Sequence, residues 1–263
     1  SIGELIESGT FTSCQSATHG YSGKYDPPST SQTVSKFPFA NDSVNAEQVA
    51  DMHQDHANGT TAHTSETQGY WAGGFPPSDG GSGRRISKFL FASESTTSSH
   101  GTLPTPYGAG VAGASNLATG GFIWGNFPDQ IFVSKFSFAS DNESNTHTQL
   151  SQAQRDATGQ SGELFAYSVS GVFSGGTVIF LTTIDKFSYT SDSFQANVAN
   201  CSIHQLASGT ASVFDNGYTT GGTNNGIKLT AIRINSHASD SDETDISNLS
   251  VTRSHFGGCG ACN

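Results

Sequence analysis

The sequence predicts an all-β protein, a β-propeller of about five blades of roughly 50 residues each, closed by pairing of its terminal segments. Three observations carry this. A short unit recurs as Val34 to Ala40 (VSKFPFA), Ile86 to Ala92 (ISKFLFA), Val133 to Ala139 (VSKFSFA) and Ile184 to Thr190 (IDKFSYT), with a worn copy around Arg233 and Ile234. Its cation falls at positions 36, 88, 135, 186 and 233, in steps of 52, 47, 51 and 47. Turn residues cluster about every ten residues between these copies, a spacing of small antiparallel sheets rather than helices.

The third unit serves as the ruler. Gly121 to Gly125 reads as a strand, Pro128-Asp129 as a turn and Ile131 to Phe138 as a second strand. Ser140 to Asn142 is the next turn, Leu150 to Ala157 a third run, and Gly159 to Gly162 leads into Leu164 to Val169. The units are expected at 1–45, 46–97, 98–144, 145–195 and 196–245, with a closing segment over 246–263. Glu4 to Ser16 and Asn248 to Cys259 occupy one phase of the repeat, so one end is expected to pair into the sheet begun by the other.

Within the Lys-Phe strand, period-two alternation puts Phe37 with Phe39, Phe89 with Phe91, Phe136 with Phe138 and Phe187 with Tyr189 on one face. The Ile/Val and Lys positions share the other face. A strand apolar on both sides must be covered on both sides, so these aromatic pairs are expected to join blades. An acid follows each Lys by six residues: Asp42, Glu94, Asp141 and Asp192, with Asp240 seven after Arg233. The expectation is a salt bridge or cap across the same turn. Chemistry rarely needs five copies, which disfavours catalytic pairs.

Composition narrows function. Only 33% of residues are hydrophobic and 13% charged, while 31 glycines and 18 phenylalanines suit short strands, tight turns and aromatic packing. A formal net charge of −11 opposes nucleic-acid binding and docking on anionic membranes. No apolar run is long enough to span a bilayer. The opening SIGELIESG lacks the basic start and apolar stretch of a signal peptide. Cys259 and Cys262 form a single C-x-x-C without a second pair, too few ligands for zinc. Cys14 and Cys259 occupy similar phases and could form a disulfide, or stay thiols like Cys201.

The aromatic-x-x-Gly-Gly element, followed by Ile-x-Lys-Phe, an acid and Leu-x-x-x-Arg, resembles a divergent kelch repeat. The doublet stands as Gly73-Gly74, Gly175-Gly176 and Gly221-Gly222, and is reduced at Gly23 and Gly125. Leu249 to Arg253, and approximately Leu150 to Arg155, carry the last element. The wording of Tyr70 to Gly74, Val34 to Asp42 and Ile184 to Asp192 is also similar to repeats in virion structural and tail-fibre-like proteins of marine bacteriophages, notably cyanophages. That resemblance spans about Gly20 to Arg253. It implies a kelch-like propeller on a virion surface, with no catalytic residues and no cofactor.

Candidate ligand-binding residues are Trp71 and Trp124, which follow the same aromatic slot in units two and three. A flat ring with a polar edge suits a pyranose face, and the competing reading is a blade-core aromatic. His53, His56 and His63 lack a carboxylate at ligand spacing. Asp240, Asp242, Glu243 and Asp245 could crowd around Ca²⁺, but the loop pattern that such a site needs is absent. No metal site is expected. Nor is a nucleophile elbow or phosphate-cradling loop present. The segments that differ most between units are Lys24 to Thr33, Phe75 to Gly83, Asn126 to Gln130 and Thr223 to Gly226. The expected function is that of a non-enzymatic virion surface or tail-appendage protein, oligomeric in its assembly. Its partners would be other virion proteins and host-surface glycan or protein, held through these variable loops. A secreted propeller lectin and a polysaccharide-active enzyme are the alternatives.

Overall fold

The computed structural model describes residues 10–25, 32–41, 43–52, 56, 59–74, 83–108, 110–140, 145–175, 177–191, 193–206, 208–253 and 259–260. These form five antiparallel sheets around a common axis, a five-bladed β-propeller. Blade one is β1 (Thr10–Gln15), β2 (His19–Tyr25), β3 (Gln32–Pro38) and β4 (Glu47–Asp51). Blade two is β5 (Thr61–Thr64), β6 (Gln68–Ala72), β7 (Arg85–Leu90) and β8 (Ser95–Thr102). Blade three is β9 (Ala112–Asn116), β10 (Gly120–Trp124), β11 (Gln130–Ser137) and β12 (Asn145–Gln154). Blade four is β13 (Thr158–Ser161), β14 (Phe165–Phe173), β15 (Ile179–Ser188) and β16 (Phe194–Asn200). Blade five is β17 (Gly209–Val213), β18 (Asn216–Thr220), a short β19 (Thr223–Asn224), β20 (Ile227–Ser236) and β21 (Thr244–Arg253), with β22 (Cys259–Gly260) beside β17.

Two expectations shift. The unit boundaries fall just before or within the outermost strand of each blade, because the motif used as ruler lies in the third strand and the fourth follows it. Closure also takes another route. Each blade draws its four main strands from its own stretch of chain, so the far terminus supplies none of the four strands of blade one. Instead β22 runs parallel to β17, pairing Cys259 with Ala211 and Ser212 with Gly260, and lies against β1 at the axis.

The innermost strands are tied by a relay of hydroxyls. Gln15 donates its backbone N–H to Thr64 Oγ1 (3.2 Å), and Thr64 N–H goes to Ser115 Oγ (3.0 Å). Ser115 N–H goes to Ser161 Oγ and Ser161 N–H to Ser212 Oγ, each 3.0 Å. Every step crosses from one blade to the next and satisfies an amide that the edge of an inner strand would otherwise leave unpaired. A ring this small also needs close backbone approach. A Cβ on Gly159 would overlap the Gly113 carbonyl oxygen of the preceding blade, so only glycine fits there.

Aromatic rings fill the seams. The second-strand aromatic of one blade packs on the third-strand pair of the next. Tyr21 lies 5.1 Å from Phe89 and 5.0 Å from Phe91, and Tyr70 lies 5.9 Å from Phe136 and 4.5 Å from Phe138. Phe122 meets Phe187 and Tyr189 at 5.9 and 5.0 Å. In blade five the partner is His237, stacked on Tyr167 at 4.2 Å. In blade one Phe37 and Phe39 contact each other and Phe39 is exposed.

Two motif lysines meet acids of the next blade, a contact that the same-turn expectation did not include. Lys36 Nζ sits 2.7 Å from Glu94 of blade two and 3.1 Å from Glu47 on its own fourth strand. Lys186 Nζ sits 2.8 Å from Asp240 of blade five. Alternation explains the contact: Lys36 pairs in register with Tyr21, so both point forward across the seam while the Phe pair points back. Glu94 and Asp240 turn back to meet the Lys from left-handed positions, at φ 50° and 49°. Lys135 donates instead to the Tyr189 carbonyl across its seam, at 3.0 Å. Asp42, Asp141 and Asp192 lie outside the described residues.

Candidate functional site

Strand direction sorts the connections into two ends. The second-to-third-strand loops and the blade-to-blade crossings emerge at one end, here the loop end. The tight turns within each inner and outer hairpin form the other, the turn end. All four segments in which the units differ most are second-to-third-strand connections, so their described parts lie at the loop end.

Gly73 and Gly74 release β6 into its loop through left-handed backbone, at φ 70° and 98°, with Gly74 N–H donating to the Tyr107 carbonyl at 2.8 Å. Asn126 accepts from Gly108 N–H (2.6 Å) and donates to the Pro106 carbonyl (3.0 Å), fastening the blade-three loop to the crossing before it. A second clamp joins blades three and four. Arg155 Nη1 donates to Asp129 Oδ1 (2.8 Å) and Ser174 Oγ (2.7 Å), and its guanidinium lies 5.1 Å over the Phe127 ring. The other Asp129 oxygen accepts Ser174 N–H.

On this fixed base stand exposed apolar side chains: Phe127 (61%), Val178 (54%), Ile179 (47%) and Ile227 (69%). Ile227 belongs to a projecting hairpin, Thr223 to Lys228, whose Asn225-Gly226 tip has φ 49° and 80°. A two-way backbone bridge between Thr223 and Leu206 holds its base (3.0 and 2.9 Å). Beside Ile227, Lys228 is exposed and makes no ion pair among the described residues. The loop end can therefore present apolar and cationic groups from a rigid frame.

The turn end differs. The inner turns of blades three, four and five enclose a groove of about 220 Å³ lined by Leu117, Ala118, Gly162, Glu163 and Phe214, with Ser115 and Asn116 at its base. The cations at this end with an ion pair are held by Glu47, Glu94, Asp240 and Asp245. Glu163 at the groove and Asp215 beside Phe214 make no ion pair among the described residues, so these two turns carry negative charge.

The sequence-derived candidates lie elsewhere. Trp71 and Trp124 are both 0% exposed, so neither ring face meets solvent. Their slots also differ. Tyr70 pairs with Lys88 and Phe122 with Lys135, which places Trp71 one residue after the aromatic slot and Trp124 two after it. They therefore point to opposite seams, Trp71 toward blade one against Phe89 at 5.7 Å and Trp124 toward blade four. Trp124 Nε1 donates to Ser168 Oγ at 2.8 Å.

The histidines separate too. His56 bridges the Gly73 carbonyl (3.0 Å) and Ser87 Oγ (2.7 Å). His63 Nδ1 donates to the Ala114 carbonyl (3.1 Å), and burial lowers its pKa to about 4. His53 lies outside the described residues. The acidic run disperses: Asp240 meets Lys186, Asp242 accepts from Asn200 N–H, and Asp245 meets Arg233. Glu243 is buried, accepts from Thr219 Oγ1 and Gln205 Nε2, and its carboxyl pKa is raised by that burial. No group of three or more metal-ligating side chains occurs among the described residues. The Cys14 sulfur abuts Gly69 in the seam between blades one and two. Cys201 is buried, with its thiol pKa pushed up by desolvation and by Glu243. Cys262 lies outside the described residues.

Sequence reading missed the Arg155–Asp129 clamp and the Ile227–Lys228 tip. The Asn-Asn-Gly of the latter is a hairpin signal that singles out the tip but not its exposure.

No protein-family model matches the chain, and no curated protein matches it in sequence. The solved structure of YjhT is similar in fold: TM-score 0.76 at 12% identity, covering 98% of this chain and 89% of that one. It is one of 164 solved chains that match, so the frame is widely used and by itself specifies no activity.

Proposed function

We propose that this chain is a non-enzymatic virion surface or appendage protein that attaches to host-surface glycan or protein through its loop end. The observation that carries this reading is the concentration of the variable loops, with Phe127, Val178, Ile179 and Ile227 exposed among them, at one end of a rigid ring. The clamps at Asn126 and Arg155 support it, because loops held in place lose little conformational entropy on binding. Arg84, Arg85 and Lys228 add positive charge at this end of an otherwise acidic chain, which suits acidic cell-surface ligands. Trp71 and Trp124 take no part.

The test has two arms. Mass spectrometry of purified particles should find the chain, and its absence would reject the virion assignment. Purified protein should bind host cells or an arrayed glycan, with at least about tenfold loss in a Phe127→Ser, Val178→Ser, Ile179→Ser variant that melts like wild type. Equal binding by that variant would move the site off the loop end.

A further inference from the structure

We propose that copies of this chain associate head to tail, the Ile227–Lys228 tip of one seated in the Leu117–Phe214 groove of the next, with Lys228 against Glu163. The proposal goes beyond host attachment and does not depend on it.

The two halves of the contact lie at opposite ends of one molecule. At the loop end, Ile227 is 69% exposed on a hairpin that its own bridge to Leu206 keeps from folding back. A branched aliphatic side chain at a hairpin tip has apolar surface to bury against a partner. At the turn end, the groove has apolar walls in Leu117, Ala118 and Phe214, and an acid at its lip. Its volume, about 220 Å³, lies below the roughly 300–1,000 Å³ of sites for drug-sized ligands, yet admits one aliphatic side chain.

Charge selects the occupant. Glu163 lines the groove and Asp215 follows Phe214 in the blade-five turn, while Lys36 and Lys186 are held at blade seams by Glu94 and Asp240. The groove thus calls for an apolar side chain with a cation close by, and the hairpin tip offers Ile227 on one face and the long Lys228 side chain on the other. Because the two surfaces are different, the contact is heterologous, and it propagates into a filament instead of closing as a two-fold dimer. Burying one tip is a small interface, so the association is weak in free solution and becomes significant where copies are held close together.

The experiment is sedimentation velocity on the full chain from about 5 to about 500 μM at fixed moderate salt, a range that brackets small interfaces. Wild type should shift to larger species with concentration. Ile227→Asp should weaken that association at least about tenfold. Glu163→Lys and Lys228→Glu should each stay monomeric, since each sets like charges against one another, and an equimolar mixture of the two should associate again. Melting curves matched to wild type establish that each variant folds. A wild type that stays monomeric throughout overturns the proposal, as does unchanged association of Ile227→Asp or a mixture that fails to recover. A groove that takes a sugar instead would leave wild type monomeric while glycan perturbs the Phe214 ring resonances, and that too overturns it.

Discussion

Lys186 Nζ lies 2.8 Å from Asp240 Oδ2 across the seam between blades four and five, and the same ammonium sits 4.4 Å over the Phe165 ring. The cation is nearly buried and its acid only partly exposed, at 11% and 31% of side-chain surface. Asp240→Ala should therefore cost about 1–2 kcal/mol, more than a surface pair would. Asp240→Asn keeps a residue tolerant of left-handed backbone and isolates the charge from the turn. A double-mutant cycle with Lys186→Met, read by denaturant unfolding, measures the coupling. Zero coupling would reduce the motif Lys to a packing stem.

The hydroxyl relay makes a separate prediction. Ser161→Ala strands the Ser115 N–H, and Ser212→Ala strands that of Ser161. Each should cost about 1–2 kcal/mol. The two should combine near additively because they serve different amides, and a double variant no worse than either single would remove the relay from the account.

Gly159→Ala tests the tightness of the ring. The added methyl meets the Gly113 carbonyl, a backbone atom that cannot rotate away, so a loss of at least about 2 kcal/mol is expected. Wild-type stability in this variant would mean that the inner strands can spread.

Trp124→Ala should cost about 3–5 kcal/mol by emptying the seam against blade four, while Ser168→Ala should cost about 1 kcal/mol through the indole N–H alone. Ligand binding per folded molecule should not change in Ser168→Ala, and a selective loss of binding there would restore a recognition role to the indole.

Acid should weaken the fold through two buried imidazoles. Burial lowers His63 and His237 to about 4, from 6.5 in the unfolded chain. Below pH 6.5 the unfolded chain takes up protons first, so stability rises with pH between about 4 and 6.5 and levels off above that. Its full span is on the order of 3 kcal/mol per imidazole. Glu243 has the opposite sign: its carboxyl is raised by burial, so its contribution is complete below pH 4.5 and is lost as pH rises through the raised value. His63→Gln should flatten the stability–pH curve in that window, as followed by thermal melts, and an unchanged slope would mean that His63 is protonated in the folded state.

Fold class was legible because aromatic residues, glycines and cations recur with a period that only stacked β units need. Partner choice was not. Alternation aims Lys36 at the neighbouring blade, and the acid it meets there, Glu94, lies 58 residues on. The tryptophans show the same limit, since a one-residue offset in a strand reverses the direction of a side chain while leaving the surrounding composition unchanged. The groove was invisible for a plainer reason. Leu117, Glu163 and Phe214 come from three different turns, and nothing local in the chain announces their meeting.

The passage from blade five to blade one is unlike the other four joints. Elsewhere one inner strand hands its amide to a hydroxyl on the next. Here the two-residue β22 stands between β17 and β1. At this joint, closure of the circle would depend on a clasp of two residues where the other four depend on strand-to-strand hydroxyls.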